Sequence, residues 1–211
     1  MPEGTAGAGR ARRDLERLVY FSDAVVAIAI TLLVIELRLP DLGPAPTEAD
    51  LRAALLDLAP QIFSVLLSFA VIALWWTTHH RFFSSVERLD GWLILLDLAF
   101  LGAIAFLPFP TSMLGQVVLP TSVAMYAATN AAIGFLLVGM REHADRADLL
   151  AADVPREVFR RRTQRSLVAP AVFAVSIPVA YVAPVVAGWS WNLIWILTIV
   201  VRRWRGPAGP Y

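Results

Sequence analysis

Apolar residues along this chain form long runs, which are separated by short stretches that contain charged residues or proline. An α-helix needs about 20 mostly apolar residues to cross the hydrocarbon core of a bilayer, so runs of this length predict transmembrane helices. Six such runs lie at about residues 18–37, 58–78, 92–109, 117–140, 167–183 and 184–201. The pattern predicts an all-α polytopic membrane protein with six transmembrane helices, built as a single transmembrane domain over residues 1–211.

Composition agrees with this class of protein. Of the 211 residues, 58% are hydrophobic and only 17% are charged, which is outside the range of ordinary soluble domains. The formal net charge of +1 gives no reason to expect a nucleic-acid partner. The absence of cysteine excludes disulfides, thiolate metal sites and cysteine nucleophiles.

Arginine is the only basic residue type other than histidine, and its distribution predicts the orientation in the membrane. Loops rich in arginine are retained in the cytoplasm. With six spans and a cytoplasmic N-terminus, all of the 18 arginines except Arg38 and Arg52 fall on the cytoplasmic side. An odd number of spans places the arginines near the C-terminus on the wrong side. We therefore expect both termini in the cytoplasm and the bilayer of the cell membrane as the surroundings.

The first run separates into two sides when it is drawn as a helix at about 100° per residue. One stripe carries Phe21, Ile28, Thr31, Leu32 and Ile35. Asp23 lies about 140° away from Ile28, on another side of the helix. Because an unpaired carboxylate is costly inside a membrane, we expect Asp23 to accept hydrogen bonds from a neighbouring helix and to anchor the first helix. The alternative is a solvated position at the cytoplasmic interface.

The end of the second run supplies hydrogen-bond donors at a matching depth, because both helices meet the cytoplasmic side there. Four side chains are the predicted partners of Ser22 and Asp23: Trp75, Trp76, His79 and His80. For the tryptophans, an interfacial aromatic belt is the alternative. No metal site is expected, since the HExxH motif is absent and no carboxylate lies at ligand spacing beside the histidine pair.

The third run contains a further charge in apolar surroundings, Asp97. An ionisable residue within a membrane span is by default a functional hypothesis, such as a proton or ion site. With Gly102, Pro108 and Pro110 nearby, we favour a structural hydrogen bond between Asp97 and a neighbouring helix. Between the first two runs, Thr47 is a predicted N-cap of a short amphipathic helix that ends near Asp57 on the outer surface.

Three motifs resemble the transmembrane protein 175 family of potassium channels. The first is ArgXaaXaaXaaPheSerAsp at residues 17–23, which opens an IleXaaIleThrLeuLeu helix at residues 28–33. The second is TrpTrpThrThrHisHisArgPhePhe at residues 75–83, and the third is LeuProPheProThr at residues 107–111. The motifs cover the first half of the chain, and the second half is similar only in hydropathy and length.

The resemblance implies a six-helix subunit that forms a homotetramer, as in bacterial members, with the first helices around a central pore that lacks a TVGYG filter. It implies that Ile28, Leu32 and Ile35 form the pore constriction and that Thr31 contributes to selectivity. It also implies that Arg17, Phe21, Ser22 and Asp23 form a structural motif. Potassium is then the permeant ion, passing passively through the pore. No other cofactor is expected.

Two other readings remain open, a secondary transporter and a membrane assembly protein. Transporters usually have repeat-related halves with paired interruptions near the midplane, whereas here only the third and fifth runs carry prolines beyond their first four residues. An enzyme is not expected, because HExxH, GxSxG and P-loop patterns are absent. Ser22, Asp23 and His79 do not form a credible triad, since the serine and the carboxylate are adjacent on one helix.

Overall fold

The computed structural model of the protein describes residues 3–194, and its named secondary-structure elements are all α-helices. In chain order the helices are α1 (Glu3–Ile35), α2 (Glu48–Asp57), α3 (Ala59–Phe83), α4 (Gly91–Phe106), α5 (Pro108–Gln116), α6 (Pro120–Arg146), α7 (Arg156–Ser166), α8 (Val168–Val182) and α9 (Pro184–Ser190). Within the described residues, extended pairing is limited to an isolated bridge between Val86 and Leu150. The predicted all-α class is therefore confirmed.

Five segments among the described residues are long and apolar enough to cross a bilayer. They are Gly9–Ile35, Ala59–Phe83, Gly91–Gln116, Pro120–Arg146 and Arg156–Val182. They correspond to the first five predicted runs, with ends that differ by several residues. The sixth predicted run begins where α9 begins, at Pro184, and its part from residue 195 lies outside the described residues.

Prolines and caps explain where the helices begin. Pro108 and Pro110 lie in the first turn of α5, where a missing N–H costs nothing, and they separate α5 from α4 at Leu107. Thr47 caps α2, as predicted, through a capping box with Asp50. Between α6 and α7, Asp148 adopts a φ of 57°, and helix formation resumes after Pro155. The polar stretch after the fourth run is therefore a turn flanked by two helices.

α6 is the most deeply buried of these spans and packs mainly against α8 and α4, with further contacts to α3, α5, α7 and α9. α1 lies at the edge of this bundle, where α3, α4 and α5 contact it from one side. This position buries one side of α1 and leaves the rest uncovered within the subunit.

We expect Gly134→Ala in α6 to destabilise the fold. The added methyl group would lie 2.7 Å from the Pro170 ring and 2.7 Å from the Trp75 indole, and overpacking of this kind costs about 1–3 kcal/mol. Gly139→Ala on the same helix is the matched control, because nothing lies within 4 Å of its added methyl. Thermal unfolding in detergent measures both variants. Equal melting temperatures would contradict the close approach of α3, α6 and α8.

Candidate functional site

The two sides of α1 differ sharply in exposure. Four residues at helical spacing form its buried side: Ser22, Val26, Ala29 and Leu33, none more than 3% exposed. The stripe predicted from periodicity lies outside this contact, since Ile28 is 59%, Leu32 39% and Ile35 62% exposed. The rest of the described subunit leaves these three aliphatic side chains largely uncovered. The stripe is therefore available to lipid or to another copy of the chain.

Thr31 lies on the same exposed side of α1. Its Oγ1 donates a hydrogen bond to the Ile28 carbonyl oxygen at 2.8 Å. This bond uses the hydroxyl hydrogen, and the oxygen keeps its lone pairs as acceptors. Phe21, which is 51% exposed, and Arg17 continue the exposed side towards the N-terminal end of the span.

A buried polar cluster fastens the opposite side of α1 to α3 and α4. Asp97 of α4 accepts a hydrogen bond from Ser22 at 2.9 Å through Oδ2, and its Oδ1 lies 2.6 Å from His79 Nε2 of α3. All three side chains are essentially inaccessible to solvent. The His79 ring also stacks on Phe100, with centroids 4.8 Å apart. Both carboxylate oxygens of Asp97 are therefore occupied by groups from two different helices.

Asp23 is held separately from this cluster. Trp76 donates its indole Nε1–H to Asp23 Oδ1 at 2.8 Å, at a partly exposed position. His80 lies against Trp76, with ring centroids 5.6 Å apart, and Trp75 donates to Asn130 of α6 at 3.1 Å. Of the four predicted partners, Trp76 therefore donates a hydrogen bond to Asp23. His79 does not contact Ser22 through a hydrogen bond of its own, but both residues bond the carboxylate of Asp97. Trp75 and His80 contact other groups.

The connection of Ser22 to His79 through Asp97 was not predicted from the sequence. Ser22 is near the N-terminal end of the first predicted run, His79 is at the C-terminal end of the second, and Asp97 is five residues into the third, so in antiparallel neighbours all three lie at a similar depth. This similar depth is the signal from which the contact of the three residues could have been predicted. Asp97 forms structural hydrogen bonds with neighbouring helices, as predicted, and it has two partners, Ser22 and His79, rather than one.

A second buried polar cluster was not predicted. The hydroxyls of Ser68 and Thr111 lie 2.7 Å apart, and Ser68 is 3.1 Å from the Tyr126 hydroxyl. These residues join α3, α5 and α6. Thr111 closes the LeuProPheProThr motif, so the motif combines a helix break with a buried hydrogen bond that holds α5 in place.

Asp90 and His143 connect α4 to α6 near the ends of these helices. Asp90 Oδ1 accepts from the Leu93 backbone N–H at 2.7 Å and caps α4, and Oδ2 lies 2.7 Å from His143 Nε2. Partial burial opposes ionisation of Asp90. The hydrogen bond from Leu93 and the interaction with His143 outweigh it, so the pKa of Asp90 is lowered below its ordinary value of 3.8.

We expect Asp90→Asn to remove an acid-sensitive contribution to stability. A carboxyl whose pKa is lowered by folding stabilises the protein above its ordinary pKa, and this contribution is lost as pH falls through the folded pKa. The asparagine keeps an oxygen for Leu93 but cannot ionise. The difference in melting temperature between wild type and variant should be largest near neutral pH and shrink below about pH 4. A difference that stays constant down to about pH 3 would contradict this assignment.

Comparisons with known proteins agree with these features. The family model described as "Endosomal/lysosomal potassium channel TMEM175" matches residues 17–108. A potassium channel of Chamaesiphon minutus is 33% identical over 172 residues, which cover 79% of this chain and 84% of that protein. The human endosomal/lysosomal proton channel TMEM175 is 28% identical over 162 residues, which cover 75% of this chain but only 31% of the human protein.

A solved structure shares the fold over nearly the whole chain. The crystal structure of a lysosomal potassium-selective channel TMEM175 homologue from Chamaesiphon minutus superimposes with a TM-score of 0.73 and 27% sequence identity. The match covers 92% of this chain and 100% of that structure. The likeness therefore extends into the second half, where the sequence alone offered no motif.

The structure is a bundle of helices long enough to cross a membrane, and buried polar groups anchor one side of the helix at its edge. The protein is therefore a polytopic α-helical membrane protein. Within that class the chain belongs to the TMEM175 family of potassium channels. The resemblance noted from the motifs is confirmed. Because the family consists of ion channels, the expectation that the protein is not an enzyme is confirmed as well.

Proposed function

We propose that this protein is the subunit of a potassium-selective channel, in which four identical chains surround a central pore lined by α1. The observation that carries the proposal is the uncovered stripe of α1, on the side away from the Ser22–Asp97–His79 cluster. A helix fixed by buried hydrogen bonds on one side presents the other side in a defined orientation. Four such stripes around an axis enclose a narrow aliphatic passage.

Ile28, Leu32 and Ile35 form the constriction of this pore, and Ile28 forms its tightest ring. An aliphatic ring controls conduction by its diameter and by how readily water fills it. Thr31 lies beside the ring and offers its hydroxyl oxygen, whose hydrogen is engaged by the Ile28 carbonyl. Four threonine oxygens partly replace the water around a potassium ion and so contribute to selectivity.

The outer mouth is acidic in this arrangement. The stretch from the end of α1 to the end of α2 carries Glu36, Asp41, Glu48, Asp50 and Asp57 against Arg38 and Arg52. Apart from Glu36, these acidic residues are exposed. An excess of carboxylates at the mouth raises the local concentration of cations before they enter the pore.

The subunit has six transmembrane helices and resides in the cell membrane, with both termini in the cytoplasm. Support for the orientation comes from the arginine distribution, and support for the fold comes from the match to the Chamaesiphon structure. The sixth span is the predicted run at residues 184–201, of which the structure describes the part up to residue 194, including the short helix α9 that ends at Ser190.

Potassium flux into liposomes that contain the purified full chain tests the function. A potassium gradient should drive rapid uptake that exceeds sodium uptake under a matched gradient, and Ile28→Asn should change the rate. A parallel proton-flux measurement separates potassium from proton conduction, since the human relative is named a proton channel. Flux no greater than in empty liposomes would instead favour the transporter or the assembly protein.

A further inference from the structure

The exposed side of α7 has features that potassium conduction does not require. α7 (Arg156–Ser166) contains five arginines and one carboxylate, Glu157. Its buried side carries Phe159 and Thr163. On the opposite side, Glu157, Arg160, Arg161 and Gln164 line an open groove with a volume of about 460 Å³. The groove is therefore lined by the guanidinium groups of two consecutive residues of α7.

The guanidinium groups of Arg160 and Arg161 are each held by a hydrogen bond from Nε. Arg160 donates from Nε to Asp145 at 2.7 Å, and Arg161 donates from Nε to Glu157 at 2.9 Å. The terminal nitrogens of these two arginines make no hydrogen bond to another side chain in the described part of the chain. The two side chains are 65% and 60% exposed. Each guanidinium thus keeps its outer N–H groups for a further acceptor, and this edge matches a phosphate group.

The depth of the groove relative to the membrane identifies the source of the phosphate. α7 passes through Leu167, which is in helical conformation, into the apolar helix α8. Arg161 precedes Leu167 by six residues, or about 9 Å along the helix axis. The headgroup layer on each side of a bilayer is about 5–8 Å thick. A headgroup phosphate is therefore within reach of these long side chains.

Four carboxylates of this region, including Glu142 with Arg146, are each paired with an arginine. Glu157 is paired with Arg161, and Asp145 is paired with both Arg156 and Arg160. Asp148 is bonded to Arg156. Because α7 carries five arginines, the three carboxylates Glu157, Asp145 and Asp148 leave an excess of positive charge on α7 and the residues paired with it.

We propose that the groove on α7 binds the phosphate of an anionic phospholipid headgroup, with Arg160 and Arg161 as its ligands. The inference goes beyond the proposed channel function and does not depend on it, since binding is measured without ion flux. Its consequence is a fixed lipid contact at the start of α8, which holds this helix end at the membrane surface.

Retention of phosphatidylglycerol by the detergent-purified full chain tests the proposal, with native mass spectrometry as the readout and phosphatidylcholine as the neutral lipid. We expect preferential retention of phosphatidylglycerol, and about a tenfold loss of it in the double variant Arg160→Gln/Arg161→Gln. Arg161→Gln alone should weaken retention. Arg146→Gln is its matched control, because Arg146 also forms an exposed ion pair with the glutamate four residues before it.

Three results would overturn the proposal. The first is no preference for phosphatidylglycerol over phosphatidylcholine. The second is an equal loss in Arg146→Gln, which would indicate general charge attraction. The third is full displacement of the lipid by inorganic phosphate, which would indicate a site for a soluble anion. If the double variant does not fold, Arg161→Lys replaces it. Lysine keeps the charge but lacks the planar fork, so weaker retention is expected and unchanged retention contradicts the assignment.

Discussion

Ile28→Ala is expected to raise the potassium flux of the reconstituted protein by about tenfold, which corresponds to lowering the conduction barrier by about 1.4 kcal/mol. The physical reason is that four isoleucine side chains form the narrowest, least wetted ring of the proposed pore. Replacing them with alanine widens the ring and lets water fill it. Ile28 is 59% exposed within the subunit, so the substitution removes little packing from the described fold.

Val25→Ala provides the control for this prediction. Val25 is on the same helix, one turn away, but it packs against the core rather than lying on the exposed stripe. Its substitution should leave the flux unchanged. A similar increase in both variants would indicate a general loosening of α1 and would contradict the assignment of Ile28 to the constriction.

Asp97→Ala is expected to destabilise the fold by about 3 kcal/mol or more, because it leaves Ser22 and His79 buried without their shared partner. Since these bonds set the orientation of α1, the variant should also lose assembly. Thermal unfolding in detergent and size-exclusion chromatography measure the two effects.

Asp23→Ala is the comparison for the buried cluster. It also removes a carboxylate bonded to one side chain of α3, but at a partly exposed position, where we expect a loss of about 1 kcal/mol or less. Equal destabilisation by the two variants would contradict the anchoring role of Asp97. The anchoring role would also be contradicted if an Asp97→Asn variant assembled normally and yet conducted no ions, because that result would assign Asp97 to ion passage.

The helices and the two sides of α1 were predictable because they depend on local patterns. Apolar runs mark the spans, and the 3.6-residue period alone separates Ile28 from Ser22. Thr47 was predictable as a cap for the same reason, because a capping box involves only residues three apart. These features need no knowledge of which helices are neighbours.

The partners of the buried polar groups depend on helix neighbours, and this is where the predictions were incomplete. Trp75 was expected near Asp23, but the helix turns it by about 100° from Trp76 and directs it to Asn130 on α6. No pattern in the first two runs reveals that α6 lies behind α3. In the same way, Ser68 in the second run and Thr111 just after the third give no signal by themselves, because the contacts of their hydroxyls with each other and with Tyr126 depend on how α3, α5 and α6 pack.

The central claim, that α1 lines the pore, is tested most directly by a single cysteine at position 28. The chain contains no cysteine, so Ile28→Cys places one thiol in each subunit and nowhere else. A cationic methanethiosulfonate reagent should then block potassium flux, whereas Val26→Cys, on the buried side of α1, should stay unblocked. Unblocked flux after complete labelling of position 28, verified by mass spectrometry, would contradict the claim.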